Sequence, residues 1–262
     1  AHNLREELMT DEEFGLTEIA HRVDIIPAPD YMMEQFIQDI IENEDKIIYK
    51  TLDLLNYQND IENVKVVVCD SSDDDITPYK LDKRSRDKFN LNIISGGLPS
   101  IARNNGAKHC FTPYILFMDA DIFILDPNVL NNTVKTLIDN DYDLVTSKIR
   151  TSNGQFNFVF RVFDFIQTIV KPISPFCMGG FMLVKMDIYD KIGGFDENAK
   201  VAEDYLFSKQ IKPSKFKRDN TIVFTTPRRF QSKGLFYMGK LMVLSFLNRE
   251  NKKYFEIGRA HV

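Results

Sequence analysis

The sequence predicts an α/β fold, a three-layer α/β/α sandwich built around a mainly parallel central sheet. Two short apolar runs, VKVVVC (Val64–Cys69) and YILFM (Tyr114–Met118), have the composition of strands buried on both faces. Helix-like stretches alternate with such runs, a pattern that favours parallel strands joined by crossover helices. Acidic residues follow the strands directly, Asp70 after VVVC and Asp119 and Asp121 after YILFM. In sheets of this kind, ligands collect beyond the carboxyl ends of the strands.

The elements are expected in this order. Residues 1–45 are the least defined: RVDIIPAPD (Arg22–Asp30) is an approximate opening strand, and YMMEQFIQDIIEN after it reads as a helix. A helix over Lys46–Tyr57 leads into the Val64–Cys69 strand, and a second over Ser100–His109 leads into Tyr114–Met118. A capped-looking helix over Pro127–Asn140 and a strand over Asp143–Ser147 follow. Two greasy stretches, FNFVFRVFDFIQTIV (Phe156–Val170) and GLFYMGKLMVLSFL (Gly234–Leu247), fall short of the roughly 18–20 apolar residues that cross a bilayer. They suit helices packed on the sheet, a dimer contact, or helices lying in a membrane interface.

Composition bounds the function. A chain of 262 residues with 44% hydrophobic and 27% charged residues is globular material for one domain. A net charge of −5 and a pI near 5.5 argue against nucleic acid as a partner. Cys69, Cys110 and Cys177 lie far apart and form no CxxC pair, which points to a reducing, cytoplasmic setting without a disulfide framework or zinc knuckle. The polar, acidic start lacks both an initiator Met and a signal-peptide pattern, so it is expected to be internal to a longer protein. The last residues, IGRAHV (Ile257–Val262), are what the sequencing-adapter string ATC GGA AGA GCA CAC GTC would encode. The natural chain is therefore expected to run on differently after Glu256, with the apolar helix in residues 233–256 cut short.

FMDADIF (Phe117–Phe123) sets two carboxylates, Asp119 and Asp121, inside an apolar run. Asp at a strand end can simply accept hydrogen bonds from turning backbone. In an extended segment, however, residues i and i+2 share a face, and two like charges held that close call for a cation or a proton between them.

Four blocks in order carry a family likeness: VVVCDSSDDD (Val66–Asp75), the Gly96–Pro127 segment ending in DADIFILDP, CMGGFMLVKMDIYDKIGGFDE (Cys177–Glu197) and AEDYLF (Ala202–Phe207). Together the chain resembles a family-2 glycosyltransferase of the GT-A (Rossmann-like) fold. The resemblance implies a catalytic domain over residues 46–232, its nucleotide-binding part running to about residue 127 and its acceptor-binding part after it. It implies a nucleotide-sugar donor, with UDP or GDP suiting an Asp70 that accepts from the base, and a glycan or lipid-linked acceptor. The DAD is the implied Mn²⁺ or Mg²⁺ site, with Asp121 the direct ligand and Asp119 on the ribose or the ion. A divalent ion of this kind neutralises the leaving diphosphate.

The likeness also assigns Asp204 as the base that takes the acceptor's proton in an inverting reaction, with Glu203 beside it. Both acids equally suit a helix N-terminus. Arg103 is a candidate phosphate or base contact. Gly179 and Gly180 are expected near donor and acceptor sugars, or in a tight turn. Asp196 and Glu197 either cap the next segment or meet sugar hydroxyls. Arg228 and Arg229, in RRFQ, are candidates for the diphosphate, or form a basic surface turn. The Gln-x-x-Arg-Trp signature of processive synthases is missing and the chain has no Trp, which disfavours processive synthesis. Two other readings stay open: a nucleotide-sugar pyrophosphorylase, whose Gly-rich, Arg-containing loop PAPDY lacks, and a degenerate binding domain, against which intact Asp121 and Asp204 argue.

Overall fold

The computed structural model describes residues 47–71, 87–248 and 251–257. The opening strand expected in Arg22–Asp30, the acidic residues 73–75 and residues 258–262 lie outside them. Helix α1 (Ile47–Leu55) precedes strand β1 (Lys65–Asp70), which pairs in parallel with β2 (Asn90–Ser95), Asp70 opposite Ser95. Helix α2 (Pro99–Ala107) follows, with Pro at its first turn, where the missing N–H costs nothing.

The larger sheet has five strands: β3 (Tyr114–Met118), β4 (Ile122–Phe123), β5 (Leu144–Thr151), β6 (Phe181–Lys185) and β7 (Phe216–Thr225), in the spatial order β3-β6-β5-β7-β4. β6 is antiparallel to both β3 and β5, β5 is parallel to β7, and β4 is antiparallel to β7. β3, β5 and β7 thus share one direction, and their carboxyl ends define one edge. The three strands read from the sequence within the described residues are present, as β1, β3 and β5. The crossover pattern joins β1 to β2 and β5 to β7, while β6 and β4 enter against it.

Helices α3 (Val129–Asp139), α4 (Asn157–Val170), α5 (Met186–Ile192) and α6 (Glu203–Ser208) connect the strands, and α7 (Arg228–Lys233), α8 (Leu235–Leu247) and α9 (Lys252–Ile257) follow β7. One core cluster packs Leu52 and Leu55 of α1 with Ile122, Ile149, Phe181 and Val223. A second lies beneath α5 and α6, where Phe117, Tyr189, Phe195 and Phe207 form a ring cluster. Phe195 meets Phe117 edge-on at 4.9 Å and stacks on Phe207 at 4.7 Å. Such aromatic contacts add to the burial that fixes α6 against β3.

Candidate active site

Asp119 is the first residue after β3, and its N–H continues the ladder by donating to Gly180 O (3.1 Å). The β3/β6 register, Met118 opposite Phe181, therefore sets the Gly179–Gly180 pair beside the acidic doublet. The doublet itself corrects the extended geometry expected from its spacing. Asp119, Ala120 and Asp121 form a turn, closed by Ile122 N–H on Asp119 O (3.1 Å), and Thr51 of α1 holds Ala120 O from behind (2.5 Å). The chain must reverse here to start β4, so the alternation of an extended strand does not apply and the two carboxylates have separate surroundings.

Arg103, on the first turns of α2, is the hub. Its Nη2 donates to Asp119 Oδ1 (2.7 Å) and Gly179 O (3.3 Å), its Nη1 donates to Glu203 Oε1, and its guanidinium lies over the Phe195 ring (5.4 Å). Burial works against this cation, but the carboxylates of Asp119, Glu203 and Asp204 outweigh it and hold its pKa above the ordinary arginine value. One planar fork thus joins the β3 doublet to the α6 doublet.

Asp204 is half-buried and held by backbone. Its Oδ2 accepts Gly179 N–H (2.6 Å) and its Oδ1 accepts Tyr205 N–H (2.7 Å). Burial and the adjacent Glu203 push its carboxyl up to about 6, against the pull of Arg103 and the two N–H donors. Gly179 is the residue this contact requires: a Cβ there would lie 2.9 Å from both Arg103 Nη2 and Asp204 Oδ2. Ala202 precedes α6 in the left-handed region (φ 54°), a strained entry of the sort found where backbone aims a functional side chain.

The structure thus brings Arg103, Asp119, Gly179, Glu203 and Asp204 into one contact network. Asp121, in the same turn, is half-buried and makes no ion pair among the described residues. Asp70 ends β1, its carbonyl accepting Gly96 N–H (2.6 Å), while Ser71 Oγ exchanges hydrogen bonds with Gly97. Arg228 is exposed and follows β7 by three residues, on the edge shared with Asp119; Arg229 is next to it in α7. Asp196 accepts from Asn198 N–H (3.0 Å), the capping alternative, and Glu197 accepts from Asn104 (2.9 Å).

Asn104 is a residue that sequence reasoning did not single out. Buried behind Arg103, it donates to Phe195 O (2.9 Å) and Glu197, and accepts from Tyr189 OH (2.8 Å) and Phe195 N–H (2.9 Å). It fastens the loop that supplies the ring under Arg103. Its neighbour Gly194 has φ +76°, and a Cβ there would stand 2.8 Å from Asn104 Oδ1.

A divalent cation fits this donor set in one way. No group of three or more metal-ligating side chains occurs among the described residues. Mg²⁺-type sites are commonly completed by substrate phosphates around one or two carboxylates, and Asp121, without an ion pair, is the carboxylate suited to that.

The family model for glycosyl transferase family 2 matches residues 40–193, well over half of the chain. A search of curated proteins gives no match. Among solved structures, the mannosyltransferase PcManGT of Pyrobaculum calidifontis, in complex with GDP-Man and Mn²⁺, superposes with a TM-score of 0.59 at 20% identity, over 70% of this chain and 54% of that one. S. aureus TarS 1-349 superposes at 0.52 and 20% identity, over 72% of this chain and 60% of that one. Its complex with UDP-GlcNAc gives 0.51 at 19% identity, over 70% and 55%. The chain spans somewhat over half the length of these proteins. The likeness is of fold, and the fold is GT-A.

Proposed function

The chain belongs to glycosyl transferase family 2, and from that premise we propose that it is a metal-dependent, inverting and non-processive transferase moving one sugar from a UDP- or GDP-sugar to a hydroxyl of a glycan or glycolipid. The observation that carries this is the Arg103 clamp, which sets Asp204, with its raised pKa, and the Asp119–Asp121 turn at one sheet edge. Structures of the same fold hold GDP-Man with Mn²⁺ and UDP-GlcNAc, which supports a nucleotide-sugar donor.

In this reading Asp204 takes the proton of the acceptor hydroxyl as the acceptor oxygen bonds to the anomeric carbon and the bond from that carbon to the diphosphate breaks. A carboxylate titrating near 6 is a better proton acceptor than an ordinary aspartate and is still ionised at neutral pH. The Gly179 and Tyr205 N–H groups fix its direction, and Glu203 positions it through Arg103. Asp121, with Asp119, would hold the divalent cation, which when bound neutralises charge on the leaving diphosphate. Asp70 accepts from the base, and Arg228 and Arg229, which follow β7 in the chain, would meet the diphosphate. Gly179 and Gly180 border the site, packed against Arg103, Asp204 and Ile122.

Calorimetric titration of UDP, GDP, CDP and dTDP, with and without Mn²⁺, tests the donor half. Metal-dependent binding of one nucleotide, lost in Asp121→Ala, is expected. A folded protein that binds none of them would favour a degenerate domain instead.

A further inference from the structure

Asn104 holds one residue of a neighbouring loop on both of its peptide groups. Its Nδ2 donates to Phe195 O (2.9 Å) while its Oδ1 accepts Phe195 N–H (2.9 Å). The rest of the amide is used as well, since Nδ2 also donates to Glu197 Oε1 (2.9 Å) and Oδ1 also accepts from Tyr189 OH (2.8 Å). Burial pushes the Tyr189 hydroxyl up to about 12, so it stays a donor at neutral pH. Gly194, with φ +76°, lets the loop come this close, for a Cβ there would stand 2.8 Å from Tyr189 OH as well as from Asn104 Oδ1. A buried amide is costly unless its donors and acceptors are matched, and a matched one specifies a single arrangement.

What the amide fixes is the Phe195 ring. The ring is buried, meets Phe117 edge-on and stacks on Phe207. Phe117 lies two residues before Asp119 in the chain, and Phe207 lies three after Asp204. The Arg103 guanidinium lies over the same ring at 5.4 Å. One ring therefore touches the strand that runs into the first acidic doublet, the helix that opens with the second, and the cation that joins them. Arg103 is itself largely buried, and an aromatic face attracts a guanidinium most strongly where water is displaced. Asp119 and Glu203 belong to different elements, so a long side chain free to turn has the alternative of giving both arms to one acid.

We propose that Asn104 and Phe195 are positioning residues for sugar transfer: Asn104 fixes the Phe195 backbone, and the Phe195 ring holds the Arg103 guanidinium where its two arms reach Asp119 and Glu203 together. Neither residue touches the reacting atoms, and the role rests on the transferase reading of the two doublets. Adjacent positions of α2 divide the work, Arg103 joining the acids and Asn104 setting the ring that aims it. Without the ring in place, the guanidinium turns to one acid and releases the other doublet, so nucleotide binding and transfer lose their common support.

The test is a double-mutant cycle on the full chain, read by kcat/KM and by calorimetry of metal-dependent nucleotide binding. Phe195→Leu keeps an apolar side chain for Phe117 and Phe207 but removes the aromatic face. With Arg103 present it should lower kcat/KM by about tenfold and weaken nucleotide binding with it. In the Arg103→Lys background it should change either by less than about twofold, because an ammonium does not bridge both doublets wherever the ring stands. Asn104→Ala should follow the same pattern. Tyr189→Phe, which removes one of the four hydrogen bonds at Asn104, should follow it at about threefold and takes the place of Asn104→Ala if that variant does not fold. Circular dichroism and melting establish folding for each. Losses of equal size in both backgrounds would overturn the proposal, since these residues would then serve the fold alone, and so would full activity in Phe195→Leu. A folded parent protein that transfers no sugar would be a different failure, that of the transferase reading, and would take the proposal with it.

Discussion

The two acidic doublets, Asp119–Asp121 and Glu203–Asp204, are built alike and end differently. In each, the first acid is tied to Arg103, leaving the second for another task. Asp121 sits in a turn, half-buried and without an ion pair among the described residues. Asp204, also half-buried, accepts two backbone N–H groups, and burial beside Glu203 pushes its carboxyl up to about 6. In the proposed reading the four carboxylates of the two doublets take different roles because their surroundings differ, one holding a cation and one taking a proton.

The largest effect should come from separating the second acids. Asp204→Asn keeps one oxygen for either the Gly179 or the Tyr205 N–H, turns its NH₂ on the other and cannot accept a proton, so transfer should fall by about 10² to 10⁴ while metal-dependent nucleotide binding stays within a factor of about two. Steady-state rates beside calorimetry read both quantities. Asp121→Asn should do the reverse, weakening metal-dependent binding first. If the two variants proved indistinguishable, the division of labour between the doublets would be wrong.

A second effect tests the clamp. Arg103→Lys keeps the charge but loses the fork, and a single ammonium cannot reach both Asp119 and Glu203 in the same geometry. We expect a loss of about 2 kcal/mol in stability, because hydrogen bonds to charged, partly buried partners are lost, together with a fall in both nucleotide binding and rate. Denaturant unfolding and the same two assays measure this. A fall in only one function would mean that the doublets are not coupled through Arg103.

Much of this was legible in the sequence because it is local. β3 occupies the Tyr114–Met118 run read as a strand, and α1, α2 and α3 fall within a few residues of their expected bounds. β7 was not legible: FKRDNTIVFT places five polar residues in a row, which reads as a loop. There the chain carries a bulge opposite Thr146/Lys148, and Asp219 bonds inward to Thr221 N–H (3.0 Å) and the Thr133 hydroxyl (3.3 Å). The spacing of Asp119 and Asp121 suggested a shared face because a turn of three residues leaves no periodic trace. Asn104 carried no signal either, as its partners lie 85 to 93 positions away. Helix α4 was visible as greasiness, and it buries Phe160 in the core, but the partners of its one acid were not visible, because Arg150 and Arg218 belong to other strands.

The smallest effect sharpens the comparison through stability alone. The Asp204 carboxyl titrates near 6 in the folded protein against an ordinary value of 3.8. Below about pH 3.8 both states hold the proton and the shift costs nothing. Between the two values the unfolded chain has released the proton while the folded protein retains it, so stability falls as pH rises, and above about 6 the full cost is present. Asp204→Asn does not titrate, so its melting temperature relative to that of the parent protein should rise by a few degrees between about pH 4 and pH 7.5, on the order expected for a shift of this size. A melting difference for Asp204→Asn that stays constant across that range would mean that burial and the adjacent Glu203 do not hold the proton on Asp204.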